Sequence, residues 1–176
     1  MAIGRFNLSL TGVQPGGLVY IGGTTFSGAS SVSINDVFTS TYRNYKIMCD
    51  LTASVDNQIR FRLRENGSDI TSTSYYYGLL AVGVGASAAF SATNNVAADT
   101  MAVTNVGAGA GGFTMDLLSP QLAQRKSALS LGTGRVAYWS SYNIQVTNQC
   151  DGFTVYPPGS TITGSISVYG YRNDNN

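Results

Sequence analysis

Strict alternation of apolar and polar residues is the feature that most restricts how this 176-residue chain can fold. Between Asn57 and Glu65, apolar residues hold positions 59, 61 and 63, while arginines hold positions 60, 62 and 64. The same period of two runs through 45–51, 136–146 and 161–172. A period of two is the repeat of an extended strand with one buried face and one solvent face. The pattern therefore predicts a sheet protein rather than a helical one.

Turn-forming residues separate these runs. Asn66-Gly67 follows the arginine-rich run, Gly132–Gly134 divides two others, and Pro157–Ser160 precedes the last. About ten or eleven short strands with regular turns predict an all-β sandwich or barrel of antiparallel strands. Ser119-Pro120 could cap a short helical turn over 121–126, but the stretch reads better as a loop. We expect little or no helix.

The chain is long enough for one domain, and its start differs from the rest. Residues 1–16 contain three glycines and a proline and precede the first clear strand, so they are interpreted as an N-terminal arm or an edge strand. Residues 17–176 are interpreted as a single domain. The segment from Gly83 to Gly112 is rich in small residues and favours a surface loop or a thin strand pair over a segment that orders on assembly. Its end, Gly107–Gly112, is typical of a loop tip.

Composition excludes several classes of chemistry. The chain contains no histidine and one glutamate, Glu65, which excludes mechanisms that need imidazole. Phosphate-binding and calcium-binding loops are absent from the sequence, so we expect no cofactor and no metal site. A polysaccharide depolymerase would have to use Asp50, Asp56 or Glu65, but these acids form no recognisable signature. The sequence therefore predicts a protein that is not an enzyme.

Charge and hydropathy also restrict the partners and the location. The net charge is +1 and only 11% of residues are charged, which argues against nucleic-acid binding. The apolar runs are too short for a bilayer span, so no membrane partner is expected. Because residues 1–6 lack the apolar core of a signal peptide, we expect synthesis in the cytoplasm without secretion. In that compartment Cys49 and Cys150 favour reduced thiols over a disulfide.

Arg60, Arg62 and Arg64 form the sharpest charge pattern. Alternation places the three guanidinium groups on one face, about 7 Å apart along the strand, so they repel unless an anion lies opposite. Asp50 and Asp56 are candidates on neighbouring strands. A solvated face with such partners is the favoured interpretation. A contact with a subunit or capsid is the second, and a phosphate or acidic sugar the third.

Aromatic residues are the second notable group. Tyr75 and Tyr77 share one face of a predicted strand, and Trp139 lies on another strand. Core packing is the favoured role for such residues in a β-sandwich. The alternatives are an interface and a glycan-binding surface, because aromatic rings stack on sugars.

Three blocks of sequence support a resemblance. They are the run from Phe38 to Ile47, the strand Ile59–Leu63 leading into Asn66-Gly67, and the final block from Gly164 to Asn173. Together they resemble small structural proteins of tailed bacteriophages. The resemblance implies a jelly-roll β-sandwich of about 8–11 strands that commonly forms homotrimers. Capsid cement (decoration) proteins and the domains of tail fibres or spikes belong to this group.

The resemblance implies a location on the virion. Because the chain lacks a long repetitive shaft, a cement protein on the capsid surface that binds the major capsid protein is expected. Ile3, Arg5 and Phe6, together with the three arginines at 60, 62 and 64, are the predicted capsid or subunit contacts. The alternative is a tail-fibre or receptor-binding module, in which Tyr75, Tyr77 and Trp139 would contact host glycan.

Overall fold

The computed structural model describes residues 17–83 and 90–172, and all regular structure within these ranges is β-strand. The thirteen strands are β1 (Leu18–Ala29), β2 (Val32–Ile34), β3 (Asn44–Ala53), β4 (Asn57–Glu65), β5 (Ser68–Asp69), β6 (Tyr75–Gly83), β7 (Phe90–Ala98), β8 (Met101–Val106), β9 (Gly111–Leu118), β10 (Lys126–Thr133), β11 (Val136–Ile144), β12 (Gly152–Tyr156) and β13 (Ile162–Tyr171).

Eight of these strands form two packed layers through nested antiparallel pairs. The pairs are β1 with β13, β2 with β12, β3 with β9 and β4 with β8. The pairs hydrogen-bond to one another side by side. The first layer has the strand order β1-β13-β3-β9, and the second has the order β2-β12-β4-β8. This nesting is the strand order of a jelly roll. The prediction of an all-β antiparallel fold is confirmed.

Two inserted segments enlarge the first layer. Strands β5 to β7 lie between β4 and β8 in the chain, and β10 and β11 lie between β9 and β12. The first layer thereby continues from β9 in the order β10-β11-β6-β7. One pair, Val136 with Asn105, joins β11 to β8 and nearly closes the sheet. The strand count exceeds the expected eleven because β5 and β7 are added.

The core lies between the two layers, and the alternating faces predicted from sequence supply it. Ile59, Phe61 and Leu63 of β4 are fully buried, as are the odd positions of β3. The Phe61 ring stacks on Phe153 at 4.9 Å between centroids and meets Phe113 edge-on. Each such side chain contributes about 1.5–3 kcal/mol on burial, so this aromatic group stabilises the contact between the layers.

The segment 83–112 was interpreted as a surface loop or a thin strand pair, and its described part favours strands, because β7 and β8 occupy most of it. Its second half contains β8, in which Met101, Ala102 and Val103 are fully buried. The end of the glycine run starts β9, where a side chain on Gly112 would overlap the carbonyl group of Cys49. Glycine is required there because two backbones approach closely. The loop-tip interpretation is wrong for this end of the run, while residues 84–89 lie outside the described ranges.

Several local predictions have clear outcomes. Asn66 and Gly67 both have positive φ and form the tight turn between β4 and β5. The stretch after Ser119 contains turns and bends rather than a helix, as favoured. Cys49 and Cys150 are free, buried thiols. The predicted arm 1–16, with Ile3, Arg5 and Phe6, lies outside the described residues, as do residues 173–176.

Candidate functional site

Two of the three arginines of β4, Arg62 and Arg64, are neutralised by acids of the same chain. Arg62 forms an ion pair with Asp99, and its guanidinium lies 4.9 Å above the centre of the Tyr156 ring. Arg64 pairs with Asp69 and also donates to the side-chain oxygen of Asn35 at 2.8 Å. Both arginines therefore hold strands and turns together. Acidic partners within the chain were the favoured interpretation, but these two side chains are only 19% and 13% exposed, so this face is partly buried rather than solvated.

The acidic partners differ from those expected. Asp56 pairs with Arg135, and Asp50 accepts a hydrogen bond from Ser165, so neither faces the arginine strand. Of the three arginines, Arg60 has a buried Nε atom with no hydrogen-bond partner among the described residues. The expectation that Asp50 or Asp56 neutralises this face is wrong. Asp69 lies opposite Arg64 across the Asn66-Gly67 turn, whereas Asp99 belongs to a segment that only the fold brings beside β4.

Asp56 and Glu65, two of the acids considered for a depolymerase, lie too far apart to form a catalytic pair. Asp56 precedes β4 and Glu65 ends it, so about 26 Å of extended strand separates them. A glycosidase needs its two carboxyl groups within roughly 10 Å. Glu65 instead accepts a hydrogen bond from the Asn148 amide at 2.6 Å. Its role in the structure is to hold a loop.

Tyr75 and Tyr77 lie in the core, not on a ligand surface. The Tyr75 hydroxyl donates to the carbonyl oxygen of Ile70 at 3.0 Å and accepts from the amide of Leu63 at 3.1 Å. Burial raises the pKa of Tyr75. Tyr77 accepts a hydrogen bond from the Asn95 amide at 2.6 Å. Of the three residues predicted to contact glycan, the structure leaves Trp139 as the exposed one.

Strand β10 reverses the usual relation between polarity and burial. Its inward residues are Lys126, Ala128, Ser130 and Gly132, while Leu129 and Leu131 point outward and are more than half exposed. The reason is that β8 passes directly beneath β10: a side chain on Gly132 would overlap the main chain of β8. Large residues do not fit on that inner face. The leucines consequently form part of an exposed apolar surface.

The buried Lys126 is held by main-chain oxygens. Its Nζ donates to the carbonyl oxygens of Gln124 at 2.7 Å, Leu122 at 3.0 Å and Val146 at 3.1 Å, and also to that of Asn148. Burial lowers the pKa of Lys126. Hydrogen bonds from a buried cation to several carbonyl groups fix the two loops beside it. This lysine is therefore a structural element.

A groove of about 880 Å³ crosses the outer face of the enlarged first layer. Its apolar lining comes from Leu80, Leu129, Leu131 and Trp139, which lie on the adjacent strands β6, β10 and β11. The indole of Trp139 is 47% exposed. Apolar concave surfaces of this size are typical of binding sites.

One end of the groove carries a neutral ion pair. Lys46 donates to Asp116 at 3.0 Å, and the Tyr171 hydroxyl donates to the same carboxylate oxygen. Burial opposes the charge of Lys46, but the hydrogen bond and charge of Asp116 outweigh it and raise the pKa of Lys46. Because the two charges cancel, the groove favours a ligand that is apolar and nearly neutral.

Strand β7 is an exposed edge. It pairs with β6 on one side and with no other described strand, and nearly all its residues are exposed on both faces. Phe90 and Val96 are each 69% exposed. The strand contains no charged residue and no proline, which are the usual means by which proteins protect an edge from pairing. This edge is therefore open to a partner strand.

Sequence reasoning named Trp139 but missed the leucines beside it and the open edge of β7. Phe90 and Val96 lie in a polar run that was interpreted as a surface loop or a thin strand pair, and Leu129 and Leu131 belong to an alternation that normally indicates buried leucines. The sequence contains only a weak signal for the exposed leucines: Lys126, Ser130 and Gly132 alternate with them and so share the other face of β10.

Within 17–83 and 90–172, no three or more Asp, Glu or Cys side chains are grouped as a metal site. No helix in the same ranges has the length and apolarity needed to cross a bilayer. No protein-family model matches this chain, and no curated protein is significantly similar to it.

Proposed function

We propose that this chain is a structural protein of a bacteriophage virion, a capsid cement (decoration) protein. In this role it binds the major capsid protein on the outer capsid surface as a homotrimer and stabilises the shell. The observation that carries the proposal is β7, an uncharged edge strand exposed on both faces. An edge of this kind is an aggregation hazard in a monomer, whereas a closed symmetric assembly covers it.

Other properties of the chain support a role in assembly. A trimer on a symmetric shell repeats each weak contact three times, so effective concentration contributes much of the binding. Few charged residues make such contacts tolerant of salt, since screening acts mainly on exposed charges. The guanidinium groups of Arg62 and Arg64 are already engaged within the chain. Strand β7 is therefore a better candidate for the subunit contact than the arginine face.

The oligomeric state tests the contact. Light scattering coupled to size-exclusion chromatography should give three times the chain mass of 18.5 kDa for the native protein. Val96→Asp in β7 should give the mass of a single chain, because a charge would be buried at the interface. Val55→Asp is the matched control, since Val55 is 57% exposed in the turn before β4. A native protein that is monomeric at all concentrations would contradict the trimer.

Binding to shells tests the role. Purified protein should add to shells that lack it and raise their disassembly temperature, and Val96→Asp should do neither. Labelling should locate hundreds of copies per virion on the capsid surface. A few copies confined to the tail would contradict a cement protein.

A tail-fibre module that binds host glycan remains the second candidate, because Trp139 is exposed in an apolar groove. It predicts binding to host surface polysaccharide that Trp139→Ala abolishes. A cement protein would show no such binding.

A further inference from the structure

The groove on the first layer leaves apolar side chains in water. Leu129 and Leu131 point outward because β8 fills the space on the other side of β10. With Trp139 and Leu80 they form a continuous apolar lining across three neighbouring strands. Covering such a surface is favourable in water, and no described residue covers it.

Residues 1–16 carry a sequence pattern that fits this groove. From Phe6 to Thr11, apolar and polar residues alternate, and the apolar residues Phe6, Leu8 and Leu10 occupy the even positions. An extended segment with this pattern presents three apolar side chains on one face. The sixteen residues include one charged side chain, Arg5, which matches a groove whose own ion pair is neutral.

The start of β1 lies within reach of the groove. Strand β10 is four strands from β1 in the first layer, which corresponds to about 19 Å at the usual strand spacing. The six residues 11–16 span about 20 Å when extended. Residues 6–10 can therefore reach the groove on the same molecule.

We propose that residues 3–10 lie extended in the groove of their own chain, with Phe6, Leu8 and Leu10 against Trp139 and the leucines of β10. A tethered segment has a high effective concentration at a nearby site, which favours its own chain over a neighbour. The inference goes beyond the proposed function, because it concerns one molecule and does not depend on a capsid.

The fluorescence of Trp139, the only tryptophan in the chain, reports directly on the groove. In the full-length native protein, its emission should be that of a covered indole. In the double variant Leu8→Asn with Leu10→Asn, emission should shift to longer wavelength, and the acrylamide quenching constant should rise about twofold as the indole is uncovered. The control double variant, Ser9→Asn with Thr11→Asn, changes polar residues on the other face of the segment. It should leave the emission wavelength and the quenching constant of Trp139 unchanged.

Limited trypsin digestion of the unmodified protein gives a second measurement. Cleavage after Arg5 should be slow relative to cleavage after Arg125, which is exposed in the loop before β10. Native-like fluorescence in the double variant, or rapid cleavage after Arg5, would overturn the proposal. Quenching of native Trp139 that increases on dilution would overturn it in favour of a neighbour's segment. Protection of Trp139 by polysaccharide, with no effect of either double variant, would overturn it in favour of glycan.

Discussion

The thiol of Cys150 should make the stability of this protein depend on alkaline pH. Cys150 is 1% exposed, and its Sγ donates to the carbonyl oxygen of Asn148 at 3.7 Å. Burial raises the pKa of Cys150 from 9.0 to about 11, against the opposing charge of Lys126. The folded state therefore keeps a proton that the unfolded state releases above pH 9.

The sign and size follow from linkage between protonation and folding. A group whose pKa is raised in the folded state contributes stability that is present below the unfolded pKa and is lost as pH rises through the folded pKa. One pKa unit corresponds to about 1.4 kcal/mol, so the two-unit shift of Cys150 corresponds to about 3 kcal/mol in total. About 2 kcal/mol of this is lost between pH 9 and pH 11, because the thiol is half ionised in the unfolded state at pH 9 and half ionised in the folded state at pH 11. Cys150→Ala removes the titrating group, so its free energy of unfolding should fall less over this range.

Urea unfolding followed by far-ultraviolet circular dichroism, with a reducing agent and a fixed protein concentration, measures this difference. Other alkaline titrations, including that of Cys49, occur in both proteins and cancel when the two curves are subtracted. The native protein should be the more stable at pH 8, and its advantage should shrink by about 2 kcal/mol by pH 11. A difference that stays constant from pH 8 to pH 11 would refute the reasoning.

Three pairs of substitutions, each a test variant with its comparison variant, test the placement of other residues. Phe61→Ala should lower the free energy of unfolding by about 3–5 kcal/mol, because Phe61 is fully buried. Leu131→Ala should lower it by less than about 1 kcal/mol, because that side chain is 52% exposed. Equal losses in urea unfolding would contradict the faces assigned to these two residues. Gly132→Ala should cost about 1–3 kcal/mol because its Cβ overlaps the main chain of β8, while Gly109→Ala meets nothing within 4 Å and should melt like the native protein. Arg64→Ala should lower the free energy of unfolding by about 2 kcal/mol. Arg64→Lys should lose a similar amount, because a lysine cannot contact the carboxylate, the amide oxygen and the hydroxyl groups at the same time as the arginine does. Native stability of Arg64→Lys in the same assay would contradict this geometry.

Local signals predicted much of the fold. The alternation in β3, β4 and β13 identified the buried residues correctly, because a strand that is half in water must separate its apolar and polar residues by parity. Asn66-Gly67 identified a turn, because these residues tolerate the positive φ that a tight turn needs. The nested pairing of strands was implied by the resemblance and is not visible in the residues themselves.

The candidate surfaces were much less predictable. Alternation shows which residues share a face, but not which face another layer covers. In β10 the close passage of β8 decides this, and it leaves Leu129 and Leu131 on the exposed face. Likewise, Asp99, the acid that neutralises Arg62, comes from a segment that only the fold brings beside β4.

By itself, the sequence determined that the chain forms a sheet, which residues lie together on each strand, and that histidine chemistry is absent. These properties depend on neighbouring residues and on composition. The tertiary structure decided that Trp139 faces a groove and that β7 is an open edge. Both depend on contacts between residues far apart in the chain, and those contacts determine which surfaces remain uncovered once the layers have packed.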